Sequence, residues 1–282
     1  MDKIEITNFV PKFLTFFEQA NNDIYDMDHK WGLWEQHYSF AAVPPGDEGK
    51  ALARSLFEGA WDRYESRIPY LKSWNPDEQA VRTTLEKVKN RLGCKEELDF
   101  VVLYFVGAFE ENPFVAPYGE ERLALCLPVE AGHSDIYLAH ELTHIVHAKT
   151  AKLSGEWDRT IGSIVMQEGL ATRVSKSVVP GRPDEDYIEY TPGWLLFAQA
   201  NKKEIISAIV PYLNDSSSDT VMKFTLGDGT TDHEREAYFV GWEFVKSCLD
   251  EGVTFEELAR IKEKDIPDYV MKKIGKVMDD GV

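Results

Sequence analysis

The apolar positions of this chain change rhythm along its length. From residue 100 they run without interruption, Phe100-Val101-Val102-Leu103-Tyr104-Phe105-Val106, a β-branched and aromatic stretch that predicts a strand buried on both faces. A Pro-containing stretch over 112–119 breaks the run, and Arg122-Leu123-Ala124-Leu125-Cys126-Leu127-Pro128 predicts a second strand. Pro128 lacks the N–H that a ladder needs, so it suits a strand end or an edge. From Ser134 the pattern turns helical: Ser134 is a plausible N-cap, Asp135 faces the positive helix end, and Ile136, Leu138, Ala139, Leu142, Ile145 and Val146 are apolar enough to bury the helix. A further helix is expected from about Asp158 to Lys176. Farther on, Thr231-Asp232-His233-Glu234 and Thr254-Phe255-Glu256-Glu257 read as capping boxes. The helix expected after Thr231 carries Tyr238, Trp242, Val245 and Leu249 as a core-facing stripe.

Before residue 95 the chain reads as helical. Asn75-Pro76-Asp77-Glu78 places an N-cap, a proline at the first helical position and acids in the first turn. Trp31, Trp34 and Tyr38 cluster with His29 and His37 between Tyr25 and Phe40. These rings are expected to pack in the core or a cleft wall, and the two histidines are not assigned to metal. No repeat and no Pro/Gly/Ser-rich linker divides the sequence. One domain over 1–282 is expected, with a helical region 1–95, a central region 96–180 and a helical region 181–282. Helices flanking a small, mainly antiparallel sheet make the fold class α+β.

Composition narrows the function classes. The chain has 282 residues, 43% hydrophobic and 28% charged, which are globular values. Asp and Glu outnumber Lys and Arg by 49 to 31, a formal charge of −18. Such a surface repels phosphate backbones and anionic lipid, so neither nucleic acid nor a membrane surface is an expected partner. Cys94, Cys126 and Cys248 are few, odd in number and far apart, which suits buried thiols in a reducing compartment. Neither a signal peptide nor a membrane-length apolar run is visible, and a cytoplasmic location is expected. The sequence is silent on oligomeric state.

The candidate chemistry lies in His140-Glu141-Leu142-Thr143-His144. Residues four apart share a helix face, so His140 and His144 can offer two imidazoles to one cation. Glu141 lies about 100° around the helix, within reach of a water on that cation. A helix so apolar would seldom carry two histidines and a glutamate unless each had a partner. His147 lies about 10 Å further along the axis than His140 and cannot join both histidines on one ion, so it is assigned a supporting or structural role. A catalytic zinc keeps three protein ligands. The best candidate for the third is Glu168, in Gln167-Glu168-Gly169-Leu170-Ala171-Thr172, with room after His144 for a turn and a second antiparallel helix. Gly169 and Ala171 would let that helix approach the first, and Glu156 and Asp158 are competitors.

His-Glu-Leu-Thr-His followed by Glu-Gly-Leu-Ala resembles the gluzincins, zinc peptidases with two histidines and one glutamate. More narrowly, the chain resembles an uncharacterised bacterial family of predicted zinc-dependent proteases, to which Ala237-Tyr238-Phe239-Val240-Gly241-Trp242 is also similar. The likeness covers roughly residues 100 to 250. It implies a zincin-like fold, with the sheet packed on the active-site helix. It also implies Zn2+ on His140, His144 and Glu168, Glu141 as general base, and Tyr238 as a candidate for the oxyanion, with His233 and Arg235 as rivals. Gly107-Ala108-Phe109-Glu110-Glu111-Asn112 is faintly similar to the element that holds the substrate amine in gluzincin aminopeptidases, leaving endo- against aminopeptidase action open. Thermolysin-like enzymes carry Asp where this chain has Thr172, so the carboxylate behind a histidine must come from elsewhere or be missing.

The expectation is hydrolysis of a peptide or protein substrate by a metal-activated water, the substrate adding as a strand to an exposed edge around Leu123 to Leu127. The alternatives are a non-catalytic, metal-stabilised binding or regulatory protein and a zinc hydrolase of non-peptide amides.

Overall fold

The computed structural model describes residues 2–43, 46–119, 122–132, 134–154 and 159–277. The chain forms two compact units that interleave in sequence: residues 1–79 with 98–134, and residues 80–97 with 135–282.

The first unit holds the sheet. It opens with strand β1 (Lys3–Asn8), followed by helices α1 (Val10–Ala20), α2 (Met27–His37) and α3 (Asp47–Ser73). Helix α4 (Glu78–Arg91) starts at the Asn-Pro-Asp-Glu signal and crosses into the second unit. Strands β2 (Asp99–Phe105), β3 (Phe114–Tyr118) and β4 (Arg122–Pro128) complete the sheet, in the order β1-β2-β4-β3.

Three expectations are corrected here. The first region is not wholly helical: Ile4 and Ile6 alternate with Lys3, Glu5 and Thr7, and this half-buried strand pairs with β2. The sheet is mixed rather than mainly antiparallel, since β1–β2 and β2–β4 are parallel and only β3–β4 is antiparallel. The unbroken apolar run of β2 is what a central parallel strand requires, and the residues between β1 and β2 leave ample chain for a crossover. Finally, β4 is not an edge. Leu123 to Leu127 pair with β2 on one side, and Leu123 to Cys126 pair on the other with β3, which forms within the Pro-containing stretch with Pro117 in it.

Aromatic residues fill the core of this unit. Phe13, Phe16, Trp31, Trp34, Tyr38, Phe57 and Tyr64 are buried, and Trp31 stacks on Trp34 at 4.6 Å between ring centroids. The Tyr38 hydroxyl donates to Val106 O and accepts from Val106 N, and the Tyr64 hydroxyl donates to Gly107 O, which fixes the loop leaving β2. Within that loop the Glu110 carboxylate accepts from its own Ala108 N at 2.7 Å, closing a local turn. His29 stacks on Tyr25 at the surface.

The second unit is helical: α5 (Asp135–Ala151), α6 (Ile161–Val178), α7 (Glu185–Ile188), α8 (Trp194–Ala200), α9 (Lys202–Ile209), α10 (Ser218–Thr225), α11 (Glu236–Asp250), α12 (Phe255–Ala259) and α13 (Ile266–Val277). Helix α6 is buried from Ile161 to Ser175 and packs on α5, α11 and α13. A helix apolar or small on every side belongs at the centre of its unit. It begins at Thr160, whose hydroxyl accepts from Ser163 N, a little later than expected.

Gly169 serves a different neighbour from the one foreseen. A Cβ there would lie 2.2 Å from Gly241 O on α11, and a Cβ on Gly241 would lie 2.4 Å from Val165 O. The two glycines let the backbones of α6 and α11 touch, which any side chain at either position would prevent. The Thr254–Glu257 capping box is present. The one expected at Thr231 is not: α11 starts five residues later, at Glu236, whose carboxylate accepts from Thr230 N, Thr231 N and the Thr231 hydroxyl. The three cysteines are buried thiols outside any disulfide. Among the described residues no helix is long and apolar enough to cross a membrane.

Candidate metal centre

All residues of the candidate centre lie in the second unit. Helix α5 sets His140 and His144 one turn apart, with Nε2 atoms 3.1 Å from each other and rings at 72°. Both are partly buried, and Glu141 beside them is buried. Helix α6 supplies Glu168, whose Oε2 lies 3.4 Å from His140 Nε2 and 3.5 Å from His144 Nε2. Tetrahedral bonds of about 2.0–2.1 Å place ligand atoms roughly 3.3–3.4 Å apart. The triangle of two nitrogens and one oxygen therefore matches the spacing that a small divalent ion imposes. The Glu141 carboxylate stands next to this triangle, its Oε1 4.0 Å from His140 Nε2, so the His140, Glu141 and His144 cluster can hold a metal ion. The competitors Glu156 and Asp158 lie outside the described residues.

The two carboxyls are poised in opposite directions. Burial pushes the Glu141 carboxyl above the usual carboxylate range, and the neighbouring histidines only partly offset this. Burial would raise Glu168 too, but the charge of His144 and hydrogen bonds from both imidazoles hold it well below that range. Burial disfavours a charged His144, and Glu168 with Glu141 outweighs it, so this imidazole is more basic than usual. The cluster thus contains one firmly ionised carboxylate and one that takes up a proton readily.

Arg159 completes the environment of Glu168. Its Nη2 lies 3.7 Å from Glu168 Oε1, and its Nη1 donates to Gln167 Oε1 at 2.8 Å. Gln167 in turn donates to Ser163 Oγ. One carboxylate oxygen faces the imidazoles and the other faces a guanidinium, which orients the group. Sequence reasoning missed Arg159: it lies in a loop before α6, outside any periodic pattern, and only the neighbouring Gln167 hinted at polar company for Glu168. Thr172 turns back on its own helix, its hydroxyl donating to Glu168 O and Gly169 O.

The remaining candidates separate. Tyr238 is partly buried on α11, and its phenol is pushed above its ordinary value by burial and by the Glu168 charge, with Arg235 opposing. It is therefore a neutral donor at physiological pH. The Arg235 guanidinium lies 3.9 Å from the Tyr238 ring centroid. His233 is instead sandwiched between Trp194 and Phe197, at 5.2 and 5.1 Å, which is a packing role. His147 is wholly buried, neither ring nitrogen has a hydrogen-bond partner among the described residues, and burial lowers its pKa to about 3, so it is a neutral imidazole. Comparisons with protein-family models, with curated proteins and with solved structures give no match.

Proposed function

We propose that this protein is a zinc-dependent hydrolase of peptide bonds, with a gluzincin-like site. The observation that carries the reading is the convergence of His140 Nε2, His144 Nε2 and Glu168 Oε2 at 3.1–3.5 Å, with the Glu141 carboxylate alongside. Two nitrogens and one carboxylate oxygen from three side chains are the donor set of a catalytic zinc, which leaves a position for water and substrate. A zinc ion, which His140, His144 and Glu168 would hold, would supply Lewis acidity for the scissile carbonyl and for a water.

The chain's own groups do the rest. His140 and His144 act as neutral nitrogen donors, and Arg159 keeps the second oxygen of Glu168 occupied so that the first stays aimed at the imidazoles. Glu141, with its raised proton affinity, accepts the proton of the attacking water and passes it to the leaving amine as the C–N bond breaks. Water adds across the bond, giving one carboxylate and one amine. The neutral Tyr238 phenol donates to the carbonyl oxygen as negative charge develops on it.

Glu141→Gln tests this directly. It keeps the shape of the site and removes the base, so zinc is retained at one equivalent while hydrolysis of a peptide library falls by about 10²–10⁴. A Glu141→Gln protein that is fully active, or a wild-type protein that cleaves equally well with a chelator, sinks the proposal.

A further inference from the structure

The crossing of α6 and α11 ties Glu168 to a second group. Glu168 precedes the glycine of one helix, and Tyr238 lies one turn before the glycine of the other, where the backbones touch. Beside Tyr238 stands Arg235. Its guanidinium carbon lies 3.9 Å from the Tyr238 ring centroid and 4.8 Å from that of Tyr190, so two rings flank it. Tyr190 is 47% exposed, so this pair of rings reaches solvent.

Two features set Arg235 apart. Arg159, Arg173 and Arg182 in the same unit each face a carboxylate. Arg235 takes part in no ion pair among the described residues, and its Nε is buried without a partner. Its backbone is also strained, at φ 57° and ψ 38°, a left-handed conformation that side chains other than glycine adopt at a cost. The surroundings enforce it: Arg235 N donates to Gly227 O, and the next residue, Glu236, is anchored by Thr230 and Thr231. A strained loop thus presents a planar cation, without a carboxylate partner among the described residues, beside the Tyr238 phenol, which the Glu168 charge reaches.

We infer that Arg235 is the substrate's carboxylate anchor and that the site takes peptides by their free C-terminal carboxylate. The inference rests on the reading of this centre as one that takes peptides. A guanidinium pairs with a carboxylate through two parallel N–H···O bonds, a match that an ammonium cannot make. The Tyr190 and Tyr238 rings beside it offer apolar surface to the terminal side chain. An acidic side chain within a peptide presents the same chemistry, and the test separates the two sources.

The experiment uses the full-length Glu141→Gln protein, so that binding is read without turnover. N-acetyl-Ala-Ala-Phe is titrated calorimetrically as the free acid and as the C-terminal amide, alongside N-acetyl-Ala-Glu-Phe amide. The free acid is expected to bind at least about tenfold more tightly than either amide. Adding Arg235→Gly should abolish that preference, with the affinity of the amides unchanged. Glycine suits the left-handed backbone, so this variant keeps the fold, and its melting temperature checks that. Arg235→Lys retains the charge without the fork and should restore only part of the preference.

Equal binding of acid and amide, or an acid preference that survives Arg235→Gly, overturns the inference. So does preference for the internal glutamate, which would assign Arg235 to an acidic side chain. Wild-type hydrolysis is scored separately. Cleavage without an Arg235-dependent acid preference leaves the hydrolase reading standing and this one fallen. Acid preference without cleavage does the reverse.

Discussion

Glu130 and Glu168 are both buried carboxylates, one in each unit, and they are satisfied in opposite ways. Glu130 is closed into backbone: its oxygens accept from Gly107 N at 2.9 Å and Phe109 N at 3.1 Å. Glu168 has no such closure, its oxygens facing two imidazoles and a guanidinium at 3.4–3.7 Å. Glu236 follows the Glu130 pattern, with Thr230 and Thr231 as donors. A buried acid bound by main-chain N–H groups holds a loop in shape. One surrounded by side chains that are themselves ligands or cations marks chemistry, because such a cluster has a net function to gain from a bound ion.

The largest expected effect that tests this contrast is on metal. Glu168→Ala should weaken zinc binding by more than about 100-fold, beyond what losing a residue behind a ligand costs, while Glu130→Gln and Glu236→Ala leave it intact. Competition with a chromogenic chelator measures all three. Next, Glu236→Ala should cost about 2–4 kcal/mol of stability by orphaning donors of the Thr230–Thr231 loop, read from the denaturant midpoint with zinc stoichiometry unchanged. Arg159→Met should lie between the two classes, weakening zinc by about 10–100-fold with little change in stability.

The pH dependence of the metal-stripped protein should differ in sign between the two acids. Burial holds Glu130 above its ordinary 4.5 against the pull of the backbone donors. Its contribution to folding is complete below that value and is lost as pH rises through the raised one. Burial works against ionisation of Glu168 too, but His144 and the imidazole hydrogen bonds outweigh it. Its contribution is complete above 4.5 and is lost as pH falls toward the depressed value. The stability advantage of wild type over Glu130→Gln should therefore grow on acidification from about pH 7 to 4.5, and that over Glu168→Gln should shrink below about 4.5. Unfolding free energies measured from about pH 3 to 7 check both, and a common sign breaks the comparison. The smallest effect is expected at His147. Its nitrogens have no hydrogen-bond partners among the described residues, so His147→Leu should be neutral or stabilising by about 1 kcal/mol in thermal unfolding.

The carboxyls also show what pattern could and could not convey. The spacing of His140, Glu141 and His144 was legible because a helix turns local spacing into a shared face, whatever surrounds it. The buried strands 99–105 and 122–128 and the Thr254 cap were legible for the same reason. Strand direction was not. β1 and β2 are separated by most of the first ninety residues, and nothing local to either states that they run parallel or that β3 closes the far side of β4. Arg159 was likewise invisible, since only the burial of Glu168 against it makes it part of the centre.

The sequence by itself determined which residue types stand one helical turn apart on α5, and hence that a metal could be held there, because that depends on φ and ψ alone. Tertiary structure decided which of the chain's many glutamates meets those imidazoles and which guanidinium stands behind it. Both depend on α6 lying against α5 and touching α11 through Gly169 and Gly241, a contact between segments some seventy residues apart.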